Sequence, residues 1–515
     1  MQESSVQTFI IILYLFTLGV LAVYGVHRSA LLWSYLRHRR ERAEPRTRFA
    51  EADLPNVTVQ LPMFNELLVA ERVIDASARI DYPRDRFEIQ VLDDSTDATA
   101  SIARARCEAL RRDGLNIRYI RRASREGYKA GALEHGSRVA QGEFVLVFDA
   151  DFVPPKSSVR DLIDYFTDPA VGMVQARWGH LNREHSLLTR CQAMLLDGHF
   201  VIEHAARNRT GRFFNFNGTA GMWRTAAIED AGGWQHDTIT EDMDLSYRAQ
   251  LAGWAFVYAP QVSAPAELPG DMSSFKSQQY RWAKGSVQTA RKLLRRIFES
   301  PVPAKVKREA FFHLTNNVAY VFLLLLAALQ LPNMLIRRRM EDPTLLLLDV
   351  PMFWATCGSV AAFYIVAHRD SYGGTWQAVK RLPVMMALGI GLAVNNGRAA
   401  IEGLFGGDVE FVRTPKSGAT DERGASGPIA YRGRHPWHNA LELVFGLYCT
   451  ATLVVALATQ SWASVPFVSL FSVGFLYVGV TSLLEAHGSR RQGDAEVDAQ
   501  EPSTHSSPKP QSMLS

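Results

Sequence analysis

Charge is missing from four long stretches of the chain: Phe9 to Val26, Leu314 to Ile336, Val350 to Ala367 and Leu443 to Leu484. A helix needs roughly 20 apolar residues to cross the ~30 Å hydrocarbon core of a bilayer, so each of the first three suffices for one span. The fourth, bounded by Glu442 and Glu485, suffices for two, with Gln460-Ser461-Trp462 and Pro466 supplying the turn. Five spans are predicted. A further charge-free run, Leu382 to Val394, is too short to cross and is expected in the membrane interface or inside protein, as segment 382–398. A purely soluble protein is excluded, yet everything from Asp53 to Arg308 reads as ordinary soluble sequence.

Flanking charge orients the plan. The first run has no small-residue cleavage signal and is followed by Arg28, Arg37, Arg39, Arg40 and Arg42, so residues 1–27 are read as an uncleaved anchor with its N-terminus outside. The polar domain is then cytosolic, on an inner (plasma) membrane, and five crossings leave the C-terminus inside as well. Arg337, Arg338 and Arg339 oppose this, because they fall in an expected external loop. The tail 487–515 is too poor in apolar residues to build a core and is expected to be disordered. With 56 basic against 52 acidic residues, the net charge of +4 is no nucleic-acid signature. Four scattered cysteines, Cys107, Cys191, Cys357 and Cys449, argue against a disulfide framework or zinc site.

Inside the polar stretch, short apolar strands alternate with helical segments. Val57 to Leu61, Glu88 to Leu92, Asn116 to Ile120 and Phe144 to Phe148 read as strands; Leu67 to Arg79 and Ala98 to Asp113 read as helices. This is the signature of an α/β domain with a parallel or mixed sheet. Such sheets bind ligands beyond the carboxyl ends of their strands, and acids stand at two of those ends: Asp93, Asp94 and Asp97 at one, Asp149-Ala150-Asp151 at the other. Carboxylates at i and i+2 can converge on one hard cation. Alone, an Asp after a strand is more often a helix cap or turn former. Here, however, Asp93-Asp94, Asp149-Ala150-Asp151, Thr240-Glu241-Asp242 and Gln278-Gln279-Tyr280-Arg281-Trp282 follow one another in order, the last just before the spans.

These motifs, with Gln60 to Glu66, Val91 to Asp97, Gly127 to Ala132, Val174 to Trp178 and Phe216 to Gly221, resemble the inverting glycosyltransferases of family two. The resemblance is to their membrane-integrated branch of cellulose synthases and cellulose-synthase-like mannan synthases, and it runs from Pro55 to about Leu484. It implies a nucleotide-sugar-binding domain of glycosyltransferase A type at 53–270, inserted between transmembrane helices. Carried over by residue, it implies that Asp93 and Asp94 hold the nucleotide, with Lys129 near the diphosphate. Asp149 and Asp151 would hold a divalent cation, Mg or Mn. Asp242, beside Glu241, would be the catalytic base, and Gln278, Arg281 and Trp282 would form the acceptor end. Trp178 offers a second flat face for a sugar ring, or simply packs in the core.

Segment 271–300 is basic, with Lys276, Arg281, Lys284, Arg291, Lys292, Arg295 and Arg296, and its apolar residues fall near helical spacing. It is expected as an amphipathic interfacial helix in contact with membrane lipid. Within the membrane region 313–486, the loop 405–436 contains Phe411-Val412-Arg413-Thr414-Pro415-Lys416, which looks in part like the branch's gating-loop motif and equally like a polar Thr-Pro turn. The expected partners are a nucleotide sugar and a glycan or lipid acceptor. The leading expectation is a processive β-glycan synthase that exports its polymer; a single-sugar glycolipid synthase is the alternative. Likeness to mannan synthases implies GDP-mannose, while the wider branch uses UDP-glucose, the side toward which the spelling Thr240-Glu241-Asp242 leans.

Overall fold

A computed structural model of the chain describes residues 2–340, 344–406, 416, 418–420 and 436–500. The polar unit is built on seven strands: β1 (Val57–Met63), β2 (Phe87–Asp93), β3 (Ile117–Ile120), β4 (Phe144–Val147), β5 (Val171–His180), β6 (Gly221–Arg224) and β7 (Ala255–Ala266). They form one mixed sheet in the order β3-β2-β1-β4-β6-β5-β7. The half from β3 to β4 is parallel, β6 runs antiparallel to both β4 and β5, and β7 is parallel to β5. Because β1, β2 and β4 are parallel and in register, their carboxyl ends open on one edge, where Phe64, Asp94 and Asp149 emerge.

The four strands expected from sequence are present. Strands β5, β6 and β7 were not anticipated, for identifiable reasons. Pro260 and Pro265 interrupt β7, which pairs only with β5, at an edge where a missing N–H is tolerated. The β5–β7 register jumps from Ala176↔Ala259 to Arg177↔Ser263 around Pro260. β6 is four residues long and begins at a glycine.

Helices cover both faces. On one, α2 (Ala70–Ala78), α3 (Thr99–Arg112) and a short α5 (Ser158–Ile163), with α4 (Tyr128–Ser137) preceding it on the other face, bury Val73, Ile74, Ala103 and Leu162 against Val57, Val59 and Leu61. The opposite face joins domain to membrane. There Leu31, Leu32 and Tyr35, from the last turns of α1 (Gln2–His38), share a core with Val145, Met173 and Trp223. The segment between β5 and β6 contributes α6 (Leu187–Asp197), a π-helical turn and α7 (Ala205–Arg209); α8 (Thr225–Asp230) and α9 (Glu241–Leu251) follow β6.

The remaining helices are α10 (Met272–Glu299), α11 (Ala304–Thr315), α12 (Ala319–Met340), α13 (Thr344–Phe353), α14 (Ser359–Tyr372), α15 (Thr375–Gly391), α16 (Ala393–Phe405), α17 (Pro436–Ala458) and α18 (Val465–Gln500). Among the described residues five helices are long and apolar enough to cross a membrane: Ser5–His38, Ala304–Met340, Leu347–Tyr372, Asn439–Ala458 and Val465–His487. The short run Leu382 to Val394 lies across the junction of α15 and α16, which are bent by 44°. Arg381 at one end of this pair approaches Glu184 of the polar unit (3.9 Å), and Glu402 at the other reaches Lys284 of α10 (3.4 Å). Arg337, one of the arginines that oppose the orientation rule, carries its own counter-charge, Asp349.

Two expectations change. Helix α10 is not simply laid on lipid: Lys276 and Lys284 are only 8% and 5% exposed and turn inward, onto Glu442 and Glu402. Removing one partner of a fully buried pair such as Lys276–Glu442 costs about 3–5 kcal/mol, so Lys276 is structural. The tail expected to be disordered from 487 begins as helix, since α18 continues to Gln500.

Candidate active site

The strand ends surround a cavity of about 200 Å³ that receives nearly every residue singled out by sequence: Asp94, Lys129, Asp149, Asp151, Trp178, Glu241, Asp242, Gln278, Arg281 and Trp282. Asp93 is the exception. It ends β2 in register with Met63, fully buried, and its carboxylate accepts from Ser95 N (2.9 Å) and Tyr119 Oη (2.7 Å). It braces the strand end behind the cavity wall, so of the two only Asp94 lines the cavity. Asp94 is gripped by the Arg122 guanidinium (Nε 3.1 Å, Nη2 2.5 Å), which also donates to Tyr128 O at 2.9 Å.

The Gly127–Ala132 motif exists to bring this loop onto α4. A Cβ on Gly131 would stand 2.1 Å from Glu126 O, so no side chain fits where helix and loop meet. Lys129, in the first turn of α4, sends its ammonium to Asp149 and to Gly218 O (2.9 Å). Gly218 has φ +78°, and a Cβ there would lie 3.0 Å from Asp242 Oδ2 and 3.4 Å from Lys129 Nζ. Gly218→Ala therefore strains the backbone and intrudes between the two charged groups. Turnover is expected to fall at least about tenfold while the melting temperature drops only a few degrees, a cost of ~1–3 kcal/mol for a left-handed non-glycine residue. Turnover beside thermal unfolding checks it; an unchanged rate would show that this contact is not needed.

Asp149 and Asp151 follow β4 directly. Thr219 Oγ1 accepts from Asp149 N (2.9 Å), and Asp151 pairs with Lys416 at 2.7 Å. Lys416 also donates to Glu267 O (3.0 Å). Phe411 to Pro415 of the gating-like segment lie outside the described residues. Asp242 is in the first turn of α9, with Met243 N donating to its Oδ1 (2.8 Å). Burial first, then the neighbouring Glu241 carboxylate, push Asp242 up to about 8, against the pull of Lys129. Burial likewise raises Glu241 and Asp149, although Lys129 opposes both shifts. Burial would depress Lys129, but Asp149 and Glu241 outweigh it, and its pKa is raised. The site is a carboxylate cluster short of positive charge, which favours protons and cations.

Trp178 both packs and lines the cavity. Its ring lies 5.4 Å from Phe152, 5.2 Å from Phe200 and 6.4 Å from Trp282. Sequence reasoning assigned nothing to Arg125, whose guanidinium stacks 3.3 Å above the Phe64 ring beside Asp94, or to Asn217, held by His204 (2.6 Å) and His199 (2.9 Å). Phe64, just after β1, and Asn217 lie within the Gln60–Glu66 and Phe216–Gly221 motifs, which were the available signal, whereas Arg125 lies in none of the motifs.

Residues 55–285 match the family model described as glycosyltransferase like family 2. The chain is 45% identical over 246 residues to a probable glucomannan 4-beta-mannosyltransferase 7 of Oryza sativa, a match covering 47% of this chain and 42% of that protein. It is 34% identical over 453 residues to glucomannan 4-beta-mannosyltransferase 7 of Arabidopsis thaliana, covering 83% of this chain and 78% of that one. The chain thus spans less than half the length of some of the curated relatives it matches. In fold the chain is similar to the mannosyltransferase PcManGT of Pyrobaculum calidifontis, solved with GDP-Man and Mn2+, at TM-score 0.50 and 21% identity, covering 76% of this chain and 99% of that one. With its catalytic-domain motifs gathered on one sheet edge and a relative matched over most of both chains, the protein belongs to glycosyltransferase family 2, in its cellulose-synthase-like, mannan-synthase-like branch.

Proposed function

We propose that the protein is a membrane-embedded inverting hexosyltransferase that moves mannose from GDP-mannose onto a growing β-linked glycan. The observation that carries this is the meeting of Asp94, Lys129, Asp149, Asp151, Asp242, Arg281 and Trp282 around one cavity, although they are spread over nearly the whole polar unit. Mannose is preferred over glucose because the matched relatives are mannosyltransferases by name. The polar unit is assigned to the cytosolic side of the plasma membrane, the side on which Arg28 and Arg37 to Arg42 lie. Processive addition, with the polymer leaving through the protein's own spans, is part of the proposal.

Asp94 and the Arg125–Phe64 stack face the nucleotide, and Lys129 and Arg281 face the diphosphate. A departing diphosphate gathers negative charge, which preorganised cations stabilise more in a dry cavity than in water. Asp242 accepts the proton of the attacking hydroxyl, which must approach the anomeric carbon from the face opposite the leaving diphosphate for displacement with inversion. Trp282, with Trp178 beside it, presents an apolar face to the terminal sugar of the acceptor.

The donor set fits a divalent cation. Asp149 and Asp151 offer hard carboxylate oxygens, and in this structure each already carries a cationic stand-in, Lys129 and Lys416 respectively. Among the described residues no third acidic, His or Cys ligand completes a cage, which suits an ion whose remaining ligands are phosphate oxygens and water. When bound, the ion supplies charge neutralisation at the leaving diphosphate.

Membranes incubated with radiolabelled GDP-mannose or UDP-glucose and extracted with chloroform and methanol test the reading. Insoluble polymer from GDP-mannose is expected. Label confined to the organic phase would make the protein a glycolipid synthase, and polymer from UDP-glucose alone would replace the donor.

A further inference from the structure

Gln278, Arg281 and Trp282 all stand on α10, and α10 is not held by the polar unit alone. The first turn of a helix leaves amide N–H groups without partners. Asp271 satisfies one, accepting from Ser274 N (2.7 Å). Two more are met from α18, where its apolar span ends: Glu485 accepts from Met272 N (2.8 Å), Ser273 N (2.9 Å) and Ser273 Oγ (2.8 Å). One turn further on, the buried Lys276 ammonium meets both oxygens of Glu442 on α17 (2.6 and 2.8 Å), with Asn439 Oδ1 at 3.0 Å and Ser482 Oγ at 3.3 Å. Glu442 has no exposed surface.

Glu442 and Glu485 are the two charges that bound the longest apolar run in the chain. In sequence they mark where a hairpin of spans begins and ends. In the structure both carboxylates arrive, from opposite ends of that hairpin, on the first two turns of α10. Apolar contacts would hold these helices together as firmly, since a buried ion pair is often no more stabilising than an apolar pair of the same volume. What charges add is a fixed register, because only the first turn of α10 offers N–H groups without partners inside the helix, and within the first two turns Lys276 is the counter-charge that meets Glu442. A helix is stiff, so a shift at Met272 to Lys276 is carried to Arg281 and Trp282 within two turns.

We infer that the α17–α18 hairpin positions the acceptor end of the site, with Glu442 and Glu485 as the positioning residues that set where Arg281 and Trp282 stand relative to Asp242. The spans thereby govern transfer to glycan more than donor binding, to which α10 contributes Arg281 alone. This rests on reading α10 as the acceptor end.

The test uses the full chain in lipid nanodiscs, with Glu485→Ala, Glu442→Gln, the exchanged pair Lys276→Glu/Glu442→Lys, and Trp282→Ala for comparison. GDP affinity, hydrolysis of GDP-mannose by water, and transfer to a β-manno-oligosaccharide primer are measured together. Glu485→Ala and Glu442→Gln are expected to raise the primer KM or lower transfer roughly ten- to a hundredfold and to shorten the product, as small misplacements of reacting groups do. GDP affinity and hydrolysis should fall far less, by no more than about threefold, because of the groups they use only Arg281 stands on α10 and the rest lie on the sheet edge. The exchanged pair should recover most of the loss. Should Glu442→Gln fail to fold, Lys276→Met/Glu442→Met decides: folded protein with impaired primer use supports the inference, and wild-type primer use overturns it. Equal losses of hydrolysis and transfer in Glu485→Ala, or no change in either, also overturn it. If Trp282→Ala leaves primer use intact, the acceptor-end reading falls and this inference with it; if Trp282→Ala impairs primer use but the glutamate variants do not, only the positioning role falls.

Discussion

Asp242→Asn is expected to cut transfer by about two to four orders of magnitude while GDP affinity changes no more than about twofold, since a lost general base removes help only in the transition state. Asn keeps the volume and can still accept from Met243 N, so the first turn of α9 should survive. The wild type should also show an unusual pH dependence. A base works ionised, and burial with Glu241 alongside holds Asp242 at about 8. Log kcat/KM should therefore climb with pH, by up to one unit per pH unit below that pKa, and flatten above it; the residual activity of Asp242→Asn should lack this limb. Turnover with calorimetric GDP binding, from pH 5.5 to 9.5, measures both. A variant with near wild-type turnover would remove Asp242 from its role, and a limb confined below pH 6 would mean that another group titrates.

The second large effect concerns the cation. Asp149→Ala or Asp151→Ala should lower activity by at least about a hundredfold, and wild type in excess EDTA should fall to the same level and recover with added Mg or Mn, because two adjacent hard ligands are of most use around a divalent ion. The variants should not recover at the same ion concentrations. Unfolding midpoints guard against a trivial cause, since each aspartate also neutralises a buried or nearly buried lysine. Undiminished activity in EDTA would reduce both residues to partners of Lys129 and Lys416.

How much of this was legible beforehand depended on whether a signal was local. β4 is an uninterrupted apolar run, and β1 and β2 alternate apolar residues with Thr58, Gln60, Glu88 and Gln90, so all three read as strands, and the acids that close β2 and follow β4 stand where a parallel sheet opens. β7 escaped notice because its prolines are tolerated only at a sheet edge, and being at the edge is a property of the sheet. The site was legible as motifs but not as geometry. Asp93 and Asp94 are adjacent and identical, and only the register of β2 on β1 decides that the first turns inward to Ser95 and Tyr119 while the second faces the cavity. Lys276 and Lys284 read as the solvated or lipid-facing charges of an amphipathic helix because their counter-charges, Glu442 and Glu402, are far along the chain.

By itself the sequence determined the division of this protein into spans and a polar α/β unit, because the length of an apolar run and the alternation of strand and helix are set by hydrophobic burial within a few turns of chain. It also determined the set of residues that gather at the cavity, Asp93 apart, because those motifs are short and contiguous. The tertiary structure alone decided which of two adjacent carboxylates lines the cavity, that Asp242, Glu241 and Asp149 gather where burial above all raises their pKa, and that the last two spans grip the helix bearing Arg281 and Trp282. Each of those depends on charges brought within a few ångströms across large sequence separations, where Coulomb and desolvation energies act on distance in space and not on distance along the chain.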